Sequence, residues 1–157
     1  MSEISDAIQA KCIAFGDRVI KLNDYLLKEA ASKKSEGGSQ KADRRGNFQT
    51  SYVRHQTCRI PVHLQAIATL CNQLLRSGTS IGANNAEATN AVSKTDYRSK
   101  SYIALKEARE SLYWIELLHR NNYIDDKQYA SIYGDCEELV RIFVARCKKL
   151  DQELGGK

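Results

Sequence analysis

The chain has 157 residues, enough for one domain with a buried core. With 42% hydrophobic and 27% charged residues it has the composition of an ordinary globular protein, and no apolar run is long enough to cross a bilayer. The net charge of +5 is concentrated: seven basic and two acidic residues fall between Ser32 and Arg59, while the remainder holds seventeen of each.

The opening MSEISDAIQAKC lacks a basic stretch followed by an apolar one, so no signal peptide is expected and the chain is expected in the cytoplasm. Ile8, Cys12, Phe15, Val19, Leu22 and Leu26 then step alternately by four and three, predicting a first helix over about Ile4 to Ala30. Ile13, Ile20 and Leu27 form a second stripe one residue round. The apolar face is therefore wide enough for a globular core or an oligomer contact.

From Ser32 to Arg59 the periodicity stops, and the segment reads as a long polar loop or arm. Nearly thirty residues is far more than the roughly 2–8 that usually join helices in a bundle. Ile60-Pro61 marks the next boundary, because proline suits a first helical turn and restricts the residue before it. The second helix carries Ile67, Leu70, Leu74 and Ile81, and runs through a stretch of small residues (Ser77, Gly78, Ser80, Gly82, Ala83, Ala86, Ala88) to about Val92. Gly78 and Gly82 each weaken a helix by about 1 kcal/mol relative to alanine, a cost that points to close approach by another backbone.

Ser93, with Asp96 three residues on, reads as the N-cap of a third helix ending near Arg120. Its seam is Tyr97, Ser101, Ala104, Ala108, Ser111, Ile115 and Leu118, again largely small. Asn121-Asn122 forms a turn, and Asp125 caps a fourth helix, with Ile124 placed to staple onto Tyr129. The stripe Tyr129, Ile132, Cys136, Leu139, Phe143, Cys147, Leu150 and Leu154 continues to fraying at Gly155-Gly156. The expected fold is all-α: one domain built as an up-down-up-down antiparallel four-helix bundle, with a long basic loop between helices one and two.

Five cysteines without a Cys-x-x-Cys pair read as reduced thiols, three of them on apolar stripes. His55, Cys58, His63 and Cys71 match no zinc-ligand spacing, so no metal is expected. A bundle can house a di-iron site, but that chemistry needs two Glu-x-x-His sequences, and Glu116-Leu-Leu-His119 stands alone. No glycine-rich phosphate loop or nucleophile signature is present. No enzyme activity and no cofactor are expected. Asn84 or Glu87, among the small residues, reads as a cross-hairpin hydrogen-bonding group that fixes register, in preference to a direct ligand role.

The better functional candidates are basic. Lys41, Arg44, Arg45, Arg54 and Arg59 lie near Phe48 and Tyr52, combining phosphate-pairing charge with rings that can stack on bases. A solvated linker without a partner is the competing reading. Arg141, Arg146, Lys148 and Lys149 make a second cluster near the end of helix four, where cations also offset the helix dipole.

QLLRSGTSIGANNAEA (Gln73–Ala88) followed by SKTDYRSKSYIALKEARESLYWIELL (Ser93–Leu118) resembles a bacterial four-helix-bundle family. It comprises proteins encoded within 23S ribosomal RNA intervening sequences and the accessory variability determinants of diversity-generating retroelements. The resemblance implies a cytoplasmic homopentameric ring that binds RNA or DNA and, in retroelements, docks on the reverse transcriptase to support cDNA synthesis and mutagenic homing. It implies no enzyme. A structural or protein-interaction module without a nucleic-acid role is the alternative. Two features depart from the family pattern: Asn85, where isoleucine is usual, and the basic segment Ser32–Arg59, where the family has a short loop.

Overall fold

The computed structural model describes residues 3–36 and 62–155, with side chains for 3–32 and 64–155. They form four α-helices and no strand: α1 (Glu3–Glu36), α2 (Val62–Thr89), α3 (Lys94–Arg120) and α4 (Asp126–Gly155). Each helix runs antiparallel to the one before it, as the cross-helix pairs show. Ser77 meets Ser111 and Glu87 meets Lys100 between α2 and α3, while Arg98 meets Asp151 and Glu116 meets Tyr129 between α3 and α4. α1 lies beside α2 and closes against α4 along a shorter seam, while the diagonal pair α2 and α4 meets through side chains, Arg146 reaching Asn85. The expected four-helix bundle is the observed one.

Three boundaries follow from local chemistry. Ser93 is the N-cap of α3, its Oγ accepting from Asp96 N at 3.1 Å. At the other end Asn122 takes φ 57°, a left-handed conformation that asparagine tolerates. The Tyr123 N–H reaches Leu118 O and the Asn122 N–H reaches His119 O, both at 2.9 Å, so the last carbonyls are satisfied. α4 opens with a reciprocal box: Gln128 N donates to Asp125 Oδ1 at 2.7 Å, and Asp125 N donates to Gln128 Oε1 at 3.0 Å.

α1 runs six residues past the expected end. Loss of the apolar stripe at Ala30 marks the end of burial, whereas Ser, Lys and Glu still suit a helix, which persists to the residue before Gly37-Gly38. The segment expected as a loop from Ser32 is therefore helical over its first five residues.

The core takes the predicted stripes of all four helices, including Phe15, Val19, Ile81, Ile115, Leu139 and Phe143, except that Leu154, in the last turn of α4, is exposed. On α2 the buried positions Ile67, Cys71, Leu74, Gly78, Ile81, Asn85 and Ala88 keep the four-three spacing throughout. The two glycines face α1. A Cβ on Gly78 would stand 3.1 Å from Val19 Cγ2, and one on Gly82 would stand 3.4 Å from Cys12 Cβ and 3.9 Å from the Cys12 backbone carbon. The close approach expected at these glycines is thus mainly to α1 side chains. Between α2 and α3 the small seam holds a buried hydroxyl pair, Ser111 Oγ to Ser77 Oγ at 2.9 Å, beside the fully buried Ala104 and Ala108.

The second stripe of α1 does not enter this core. Ile13, Ile20 and Leu27 are 55%, 44% and 36% exposed. No described helix is long and apolar enough to cross a membrane.

Candidate nucleic-acid interface

Lys41, Arg44, Arg45, Arg54 and Arg59, with Phe48 and Tyr52, lie outside the described residues. The four α4 candidates are described, and the helix divides them. Arg141 and Lys148, seven residues apart, share an exposed face. Arg146 and Lys149 line a concavity between α4 and the first turns of α1 and α3.

Their electrostatic situations differ. Arg141 Nη1 donates to Glu137 Oε2 at 2.9 Å, an exposed pair four residues apart on one helix. Lys148 and Lys149 have no ion pair among the described residues. Arg146 is turned inward: its Nη1 donates to Asn85 Oδ1 at 2.7 Å, and its guanidinium lies 5.0 Å from the Phe143 ring centre and 5.5 Å from that of Tyr97. The cluster of four in the sequence is therefore two surface cations, one cation at a pocket edge, and one that braces the core.

Asn85 is fully buried and fully partnered. Besides accepting from Arg146, it donates from Nδ2 to Gln9 Oε1 at 2.6 Å. Gln9 in turn donates weakly to Gly82 O at 3.4 Å. The departure from isoleucine at this position thus comes with a polar chain joining α1, α2 and α4. Sequence reasoning flagged Asn85 but missed Gln9 and Arg146 as its partners. Carrying the four-three spacing of Ile67, Leu74 and Ile81 one step further lands on Asn85, so its burial was available to pattern reading.

Other polar candidates are occupied locally. Glu87 does reach across the hairpin, to Lys100 Nζ, but Asn84 donates to Ser80 O of its own helix at 2.8 Å. Glu116 accepts from Arg120 Nε and from Tyr129 OH, both at 2.7 Å, and His119 pairs with Asp126 Oδ1 at 2.8 Å while stacking on Tyr129. The hydrogen bond from Tyr129 is the first cause holding the Glu116 carboxyl below the usual range. The same bond is the first cause raising the Tyr129 phenol to about 12. Burial raises the Cys12 and Cys71 thiols to about 11 and Cys136 to about 12, which makes them poor nucleophiles.

About half of the described charges on the bundle are paired with one another. Arg18–Asp135, Lys11–Glu138, Lys94–Glu153 and Arg98–Asp151 join different helices, as do Glu87–Lys100 and Arg76–Glu110. The chain outside 32–59 is neutral in sum. The chain is electrically balanced outside 32–59, and the excess lies in that segment, whose first five residues close α1.

A family model described as 23S rRNA-intervening sequence protein matches residues 54–145. A solved structure from Bacteroides thetaiotaomicron, described as a protein of unknown function from the S23 ribosomal protein family, is 33% identical in sequence. It covers 90% of this chain and 98% of its own, with a TM-score of 0.64. No curated protein matches. The chain belongs to the 23S rRNA-intervening sequence protein family.

Proposed function

We propose that this protein is a non-enzymatic accessory protein that binds RNA or DNA through its 32–59 segment and works as a homopentameric ring. In a retroelement setting its protein partner is the reverse transcriptase, and the ring assists cDNA synthesis and mutagenic homing. The observation that carries the nucleic-acid reading is the division of charge: a neutral, internally paired bundle beside a segment holding the whole surplus of +5. Five such segments on a ring would gather about 25 positive charges. The exposed Ile13, Ile20 and Leu27 stripe supports assembly, because an apolar ridge along one helix suits another chain better than water.

Fluorescence anisotropy with a labelled single-stranded RNA tests the reading. Binding should be sequence-tolerant and should weaken steeply between 50 and 200 mM salt. Deleting residues 35–54 removes Lys41, Arg44, Arg45 and Arg54, and should lower affinity while making the salt slope shallower by about 3. Unchanged affinity in the deletion would instead support a structural or protein-interaction module, a reading favoured by the self-paired charges of the bundle. A native mass near 17.7 kDa, in place of about five times that, would remove the ring.

A further inference from the structure

A half-open pocket of about 480 Å³ lies at the end of the bundle where the first turns of α1 and α3 meet the last turns of α4. Its walls are aliphatic, formed by Ile4, Ile8, Ile142 and Leu150. Ile4 is 74% exposed although it lines a concavity, since α1 and α4 meet only along a short seam and nothing described covers it.

The charges at this pocket do not cancel. Lys94 Nζ pairs with Glu153 Oε2 at 3.2 Å, which neutralises one cation with the one acid of the lining. Arg146 is left with a neutral partner, Asn85, and two ring faces, and it meets no carboxylate among the described residues. Lys149 has no ion pair there either. A half-buried guanidinium held against apolar walls without a counter-ion is an electrostatically incomplete arrangement. A nucleobase is a poor complement: the walls are aliphatic, and the one ring in the lining, Tyr97, already has Arg146 over it. An apolar group carrying negative charge fits both walls and cations.

We propose that this pocket docks a segment of a partner protein in which an apolar side chain is flanked by carboxylates. The apolar side chain enters between Ile8, Ile142 and Leu150, and the carboxylates meet Arg146 and Lys149. None of the lining residues belongs to the 32–59 segment, so the substitutions that test the pocket leave that segment's sequence intact.

The probe is a fluorescein-labelled peptide, Asp-Glu-Leu-Phe-Asp-Glu, titrated into the intact protein at low salt. It should bind one per protomer. Replacing Leu-Phe by Ser-Ser, or the acids by lysines, should each weaken binding by about tenfold or more. Lys149→Glu should weaken it by about fivefold, and Ala145→Trp, which fills the mouth from an exposed position, should abolish it. Thermal melts should show both variants folded. No saturable binding of the acidic peptide, equal binding of the basic one, or full binding to Ala145→Trp would each overturn the proposal. So would displacement of the peptide by single-stranded RNA whose own binding is lost in Ala145→Trp, which would give the pocket to nucleic acid. A fall in native mass caused by Ala145→Trp would give it to a second copy of the chain and overturn the proposal equally.

Discussion

Replacing Arg146 by methionine separates a core brace from a surface cation. In the structure its guanidinium donates at 2.7 Å to Asn85 Oδ1, an acceptor on a residue with 0% exposure. Arg146→Met leaves that oxygen without a donor and without water, and the lost bond has a charged donor, for which about 1.5–3 kcal/mol is typical. Asn85→Ile is a different perturbation. Arg146 borders an open pocket and can rehydrate, Gln9 is half-exposed, and the isoleucine adds apolar burial, so its cost should stay below about 1 kcal/mol. In the double variant neither orphan remains, and stability should return to within about 1 kcal/mol of the parent. Urea unfolding followed by circular dichroism, at one fixed protein concentration because association adds to stability, gives all four corners of the cycle. Arg146→Met should lower the urea midpoint at unchanged slope, with a coupling of about 2 kcal/mol. If Arg146→Met is neutral, or the two effects simply add, the bond carries no weight and the argument for Asn85 fails.

The remaining predictions address packing, pH and thiols. Gly134→Ala places a methyl in open space on an exposed turn of α4 and should stabilise by about 1 kcal/mol, raising Tm by about 2–4 °C. Gly78→Ala should instead lower Tm, because its Cβ would press at 3.1 and 3.3 Å on both methyls of the fully buried Val19. Asp151 is held below its ordinary 3.8 first by the Tyr102 hydroxyl and then by Arg98. A depressed carboxyl stabilises above its unfolded pKa and loses that contribution on protonation. Stability should therefore fall as pH drops below about 4, and Asp151→Asn should flatten that fall in urea titrations. Tyr129 is raised from 10 to about 12, so its contribution is present below pH 10 and lost between 10 and about 12; Tyr129→Phe should remove that alkaline step. With Cys58 replaced by serine, a thiol reagent at pH 8 should find no reactive cysteine in the native protein and four after unfolding.

Helix order, caps and core stripes were legible because each rests on chemistry local to the sequence. Ser93 and Asp125 announce helix starts through a side-chain acceptor three residues from a donor, and both do what their positions imply. The end of α1 was misplaced because apolar periodicity reports burial, and a helix can continue where burial stops. The candidate site was less legible. Spacing along α4 places Arg141 with Lys148 and Arg146 with Lys149, but a run of basic residues does not say which guanidinium turns toward a buried amide on another helix. That required knowing that α2 brings Asn85 opposite α4, which is tertiary information. The likeness of Glu87 and Asn84 in sequence hid a similar difference: one reaches Lys100 across the hairpin and the other bonds its own turn.

The small-residue stretch of α2 acts on the outer surface of the protein through α1. Gly78 and Gly82 let Val19, Phe15 and Cys12 lie directly on α2, which fixes how α1 is turned about its axis. With Cys12, Val19 and Leu26 drawn inward, the residues one position further round (Ile13, Ile20 and Leu27) lie on the exposed flank of α1. The same contact places Gln9 within reach of Asn85, and so of the Arg146 that borders the pocket. A larger residue at Gly78 or Gly82 would thus disturb more than packing. It would rotate the apolar ridge offered for assembly and loosen the polar chain behind the pocket together, so both surfaces depend on the closeness of one helix pair.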